Sequence, residues 1–162
     1  MKLTNFFEGH PEIKNLNVVL TDLNGVFRGK KIPISQIYKI ENGNFRMPFS
    51  VMNLDIWGND IEKSKWVFST GDADGKCFWT KKKPLIINGD NNNSALVPVS
   101  MHHENKKPFM GDPSHLLIEL ESNLRKQNLT PVMGVELEFY LIKIKSNLEY
   151  SDSNMYSISE ID

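Results

Sequence analysis

Val18-Val19-Leu20-Thr21-Asp22-Leu23-Asn24-Gly25-Val26-Phe27-Arg28-Gly29-Lys30-Lys31-Ile32 is the stretch whose reading decides the fold. Val18 to Leu23 is rich in β-branched and apolar residues and reads as a strand. Asn24-Gly25 is a strong short hairpin signal, because a type I′ turn needs positive φ at both central positions. Val26 to Ile32 is then the returning strand, ended by Pro33.

Further along, Ile34 to Ile40 is long enough for one or two helical turns, and Glu41 to Asn44 is turn-like. Ser50 to Trp57 has no clear period. Lys65 to Thr70 is predicted to be a strand, Gly71-Asp72-Ala73-Asp74-Gly75 a turn-rich loop, and Lys76 to Thr80 a further strand. Asn88 to Asn93 is a surface loop. Ala95 to Met101 reads as a strand in which Pro98 implies an edge or a bulge.

Asp112-Pro113 opens the clearest helix, with an N-cap side chain followed by a proline that has no N–H to lose at the first position. Leu116, Leu117, Leu120 and Leu124 recur at helical spacing, and Glu121 and Arg125 form an i,i+4 pair. The helix is expected to stop near Asn128, before Pro131. Val132 to Ile144 (VMGVELEFYLIKI) is the most persuasive strand of the chain. Several strands with few helices, then a helix and one strong strand, is an α+β pattern with an unfinished second unit.

The chain has 162 residues, 40% hydrophobic and 24% charged, and a formal charge of −1. That balance excludes a basic surface for nucleic acid or for an anionic membrane. Lys81-Lys82-Lys83 is a short solvated run. The lone cysteine, Cys77, rules out an internal disulfide and lies in no nucleophile motif. The amino terminus carries acids and polar residues where a signal peptide needs an apolar stretch, and no segment is long enough to span a bilayer. A cytoplasmic protein is expected.

Glu136 and Glu138 sit two apart on the strongest predicted strand, which puts both on one face about 6.6 Å apart. Such a pair repels itself by roughly 2.5 kcal/mol at an effective dielectric of 20. A hard divalent cation turns that repulsion into a ligand set. Alternation alone favours the plainer reading, with Val135, Leu137, Phe139 and Leu141 in the core and the glutamates in water. Asp72 and Asp74 begin like a calcium loop, but Lys76 and Lys83 fall where oxygen donors are needed, so these are turn residues. His102 and His103 are adjacent on a strand and point to opposite faces. His10 and His115 read as packing or surface residues.

GVELEFYL (Gly134 to Leu141) resembles the first catalytic-domain strand of the glutamine synthetase family, which carries two metal-binding glutamates at this spacing. FFEGHPEIKNLNVVLTDLNGVFRGKKIP is similar to the amino-terminal β-grasp domain of the subgroup that includes γ-glutamylpolyamine synthetases. RMPFSVMNLDIWG, TGDADG, PFMGDPSHLL and TPVMGVELEFYL follow in family order, and MYSISEID matches the point where the family's next helix begins. The resemblance implies a β-grasp-like domain over residues 1–105 and the start of a catalytic domain over 106–162, truncated after its first strand.

It further implies an ATP-dependent ligase that phosphorylates the γ-carboxylate of glutamate and lets ammonia or an amine displace phosphate. Mg²⁺ or Mn²⁺ is the implied metal. By position Glu136 holds the metal on the nucleotide side and Glu138 the metal on the glutamate side, while Asp72 matches an acid at the family's subunit boundary. The implied assembly is a homo-oligomeric ring. The family's other ligands and its nucleotide pocket fall beyond Asp162, so the chain alone is expected to be inactive. Arg46 to Ser50 stands where glutamine synthetases proper carry an aspartate that serves the ammonium site, which tilts the second substrate towards a larger amine such as a polyamine. The competing reading is a non-catalytic β-grasp module that associates with ligase subunits.

Overall fold

The computed structural model describes residues 2–69, 71–87 and 93–139, together with the backbone of 141–142 and 155–156. The chain divides into two compact units, Met1–Leu129 and Thr130–Asp162.

The first unit is built on a mixed sheet. β1 (Asn15–Thr21) pairs antiparallel with β2 (Phe27–Pro33) and parallel with β6 (Ser94–His102). β6 pairs antiparallel with β4 (Asp74–Trp79), which pairs antiparallel with β3 (Phe45–Pro48). β5 (Leu85–Ile87) adds to the first part of β6. The predicted hairpin is therefore present, but its turn differs from the expected type I′. Only Gly25 has positive φ; the Asp22 and Val26 backbones pair around three residues, and the Gly25 amide donates to the Asp22 carbonyl. A three-residue loop ending in a left-handed glycine is the alternative that suits the same twist.

Pro98 lies within β6, well inside the sheet and not at an edge. β5 covers Ser94 to Leu96 and β4 covers Val99 to His102, so Pro98 falls at the handover between the two, where its missing N–H costs no ladder bond. Its carbonyl accepts from the Thr80 amide (3.2 Å) and hydroxyl (3.1 Å).

Leu16, Val18 and Leu20 of β1 and Ala95, Val97, Val99 and Met101 of β6 alternate into one core. Leu3 and Phe7 of α1 (Leu3–Glu8), Ile37, and Ile40 of α2 (Tyr38–Glu41) complete it. Ile34–Gln36 is a 3₁₀ turn, so the predicted one or two helical turns both exist. Lys65 to Thr70 was expected as a strand; instead Lys65–Phe68 forms α3, closed by Phe68 N–H to the Ser64 carbonyl. Among the described residues no strand pairs with it, and Trp66 packs on Phe109 at 4.9 Å. Tertiary packing overrides the local β preference here. Most of the expected 88–93 loop, and Thr70, lie outside the described residues.

α4 (Pro113–Lys126) starts where the sequence places it, with the Asp112 side chain accepting from the Ser114 amide. In the second unit the expected strand over 132–144 is largely absent. Only β7 (Leu141–Ile142) forms, paired with β8 (Met155–Tyr156), while 132–139 joins no ladder. A strand's N–H and C=O groups need a partner, and among the described residues none is supplied to this run. Its apolar side chains are left in solvent, Val135 at 88% and Leu137 at 79% exposure, against the expectation that they face a core. Tyr140 and residues 143–144 lie outside the described residues.

The hairpin tip is fastened electrostatically. The buried Asp22 carboxylate accepts from the amides of Asn24 (2.8 Å) and Val26 (2.9 Å) and from Arg28 Nε (2.8 Å), while Arg28 Nη2 donates to the Asp55 carbonyl (3.1 Å). Burial disfavours the Asp22 charge, but the hydrogen bonds from Val26, Arg28 and Asn24 outweigh it and hold the carboxyl below the usual aspartate range. A depressed carboxyl pKa contributes stability above the unfolded value, near 4, and that contribution is lost as pH falls through the folded pKa. Asp22→Asn is therefore expected to melt lower than the native chain at pH 7 and to show a shallower acid limb. Thermal denaturation from pH 7 to 2.5 reads this; identical acid limbs would exclude Asp22 as the source.

Candidate functional site

Glu136 and Glu138 lie in the unpaired run 132–139 and are both solvent-exposed. Among the described residues no three histidine, cysteine or acidic side chains converge as a metal-ligand group. No third donor among the described residues thus joins the two glutamates.

Asp72 is half-buried with φ 54°, a turn residue as the sequence indicated, and its Oδ1 accepts from the Ser50 amide at 3.3 Å. This places it against the Arg46–Ser50 stretch. That stretch contains no acid of its own, but acids approach it from other elements. Pro48 is in register with Asp74, and Arg46 Nη2 donates to Glu104 at 2.6 Å, with Lys76 Nζ 3.4 Å from the same carboxylate. Hydrogen bonding to Arg46 lowers the Glu104 pKa. Arg46, Phe49, Asp74, His103, Glu104 and Lys107 line an open groove of about 730 Å³. Sequence reading missed this cluster, since its members come from β3, β4 and the loop after β6.

Arg28 and Lys30 are both engaged within the chain. Arg28 pairs with Asp22, and Lys30 Nζ donates to the Arg46 carbonyl at 3.2 Å.

The histidines are packing residues, and two of them meet. His115 Nε2 donates to the Met101 carbonyl at 2.7 Å, and its ring stands edge-on to that of His102 at 4.7 Å. Burial, then proximity to His115, works to lower the His102 pKa, against a hydrogen bond with the Ser100 carbonyl. His103 points the other way, onto Phe49 and Phe109, as adjacent strand positions require. Asp112 closes the junction: its Oδ2 accepts from the Met101 amide at 2.8 Å and its Oδ1 from the Ser114 amide at 2.9 Å. Periodicity shows an N-cap at Asp112, but the second bond, back to the sheet, leaves no trace in the sequence. Cys77 is fully buried, and burial pushes its thiol up to about 12, which suits packing and not nucleophilic chemistry.

No family model matches the chain. Gamma-glutamylputrescine synthetase PuuA of Escherichia coli (strain K12) is 34% identical to it over 148 residues, which is 91% of this chain and 31% of that protein. A match of that span takes in α4, Glu136 and Glu138 wherever it begins, and the chain spans about a third of the relative's length. Among solved structures, a novel glutamine synthase homolog aligns with a TM-score of 0.60 at 17% identity, covering 71% of this chain and 27% of that one. GmaS in its ADP complex aligns at 0.60 with 18% identity, covering 78% and 26%. Plasmodium falciparum glutamine synthetase aligns at 0.54 with 12% identity, covering 76% and 22%. At those identities the structural matches speak for the fold.

Proposed function

We propose, from the premise that this chain is a member of the glutamine synthetase family, that it is a portion of an ATP-dependent ligase that joins glutamate to an amine through its γ-carboxylate. The observation that carries this reading is the 34% identity to a γ-glutamylputrescine synthetase across nearly the whole chain. On this reading residues 1–105 are the β-grasp domain and 106–162 the start of the catalytic domain. The parallel β1–β6 pair flanked by an antiparallel hairpin suits the first assignment. The parent assembly is a homo-oligomeric ring, working in the cytoplasm; among the described residues no helix is long and apolar enough to cross a membrane.

Glu136 and Glu138 are the metal ligands this chain contributes. Their carboxylate oxygens suit Mg²⁺ or Mn²⁺, and both side chains are open to solvent, where a cation can reach them. When bound, such a metal neutralises phosphate oxygens and aligns the reactants for phosphoryl transfer. Pairing of 132–139 into a strand would bring the two glutamates to one face. The two carboxylates of this chain do not fill six coordination positions, so the 162-residue chain alone is inactive. The second substrate is an amine larger than ammonia, in keeping with the relative's name. Asp72, beside Ser50, is the residue proposed to lie at the subunit boundary.

Calorimetry with Mn²⁺ tests the ligand assignment. Weak binding is expected for the native chain, and its loss in the Glu136→Ala/Glu138→Ala variant. Binding of equal strength in both would sink the assignment, and ADP release from ATP, glutamate and an amine by the pure chain would refute its inactivity.

A further inference from the structure

We propose that His102 and His115, which meet where β6 joins α4, form a binding site for a borderline divalent transition metal of the zinc and nickel class. Its donors are imidazole nitrogens, unlike the carboxylates of Glu136 and Glu138, and the inference does not depend on the family reading.

The two rings come from different elements, and the backbone fixes the state of each. His115 Nε2 lies 2.7 Å from the Met101 carbonyl oxygen, and His102 Nδ1 lies 3.2 Å from the Ser100 carbonyl oxygen. A carbonyl only accepts, so each of these nitrogens carries the proton. In the neutral rings His115 Nδ1 and His102 Nε2 are then bare lone pairs, and neither accepts a hydrogen bond from a described residue. Metal-ligating histidines have this arrangement, one N–H given to a backbone carbonyl and the other nitrogen kept for the ion. The ring centres are 4.7 Å apart and the rings stand at 82°. Zn–N bonds of about 2.0–2.1 Å at a tetrahedral angle set two ligating imidazoles roughly 5 Å apart. The spacing already matches that of a shared ion.

The surroundings suit a metal cation. Burial holds the His102 ring neutral at pH 7, so no proton has to leave before a metal binds. The buried Asp112 carboxylate acts on His102 as a fixed negative charge. Lys76 is opposite His102 in register but is drawn towards Glu104 at 3.4 Å, and His103 points to the other face. Phe78 closes one side of His102, edge-on at 5.0 Å. Both Asp112 oxygens are taken by the Met101 and Ser114 amides, so water fills the remaining positions on the ion. Nitrogen donors select Zn²⁺ or Ni²⁺ over Mg²⁺ and Mn²⁺, which prefer oxygen. A bound ion ties α4 to β6.

Imidazole nitrogen NMR of the native chain tests this without any substitution. The metal-free spectrum should show His115 protonated at Nε2 and His102 at Nδ1. One equivalent of Zn²⁺ should shift His115 Nδ1 and His102 Nε2. Calorimetry with Zn²⁺ in the Glu136→Ala/Glu138→Ala background should retain this binding. There it should weaken at least tenfold with His102→Gln or His115→Gln and stay unchanged with His103→Gln. Zn²⁺ should also raise the melting temperature of the native chain and not that of His102→Gln. Zn²⁺ shifts confined to His10 or His103, equal binding by all three histidine variants, or displacement of Zn²⁺ by a tenfold excess of Mg²⁺ would each overturn the proposal.

Discussion

Asp112→Ala is expected to lower stability by about 3–4 kcal/mol and to free α4 from the sheet. The side chain is 1% exposed, and both its oxygens are used, one by the Met101 amide and one by the Ser114 amide. Alanine leaves those two N–H groups without their acceptor in a dry site, which costs more than the bonds themselves contribute. The lost cap adds about 1 kcal/mol for the helix. Urea denaturation should show the midpoint falling, and hydrogen exchange should show the amides of 113–119 losing protection ahead of those in β1 and β6. A midpoint within experimental error of the native one would mean that the bond to Met101 contributes nothing net.

Gly29→Ala is the second large expected effect, at about 3 kcal/mol or more, through overpacking. A Cβ at this position would stand 1.9 Å from the Val18 carbonyl oxygen and 3.0 Å from the Val19 Cα. Those atoms are backbone of the central strand β1, whose pairing with β6 forbids retreat. The strain must go into the β1–β2 ladder, so the hairpin should open or the whole unit should unfold at lower denaturant. Gly25→Ala makes the comparison: nothing lies within 4 Å of a Cβ there, and its cost comes from the positive φ alone, about 1 kcal/mol. If Gly29→Ala proved no worse than Gly25→Ala, the close approach of β2 to β1 would be wrong.

Much of the first unit was legible in the sequence because its signals are local. The β-branched and apolar run from Val18, the Asn24-Gly25 pair and the Asp112-Pro113 start each act within a few residues, and β1, β2, β6 and α4 form where such local signals indicate. Lys65–Phe68 was misread, since β propensity yields to whatever a segment packs against. The leucines of α4 were legible as a helical stripe, but not that Leu116, Leu117 and Leu120 stand half exposed while His115 reaches back to the Met101 carbonyl. Glu136 and Glu138 are singled out as metal ligands by resemblance alone, and both are exposed on a run, 132–139, that joins no ladder among the described residues. The Arg46–Glu104 cluster could not be read in advance, because β-sheet registry brings together residues with no common motif.

The parallel pairing of β1 with β6 also carries a consequence for how the molecule comes into being. Asn17 and Ser94, which meet across that pair, are 77 residues apart along the chain. The β1–β2 hairpin can close within microseconds of being made, but one side of β1 stays bare until β6 arrives. Closure over so long a loop is an entropic cost met before any of its contacts form, so folding of this unit is governed by a late, distant encounter. During synthesis the amino-terminal hairpin must wait for β6 to emerge from the ribosome, with the open edge of its most apolar strand exposed to any competing strand in the meantime.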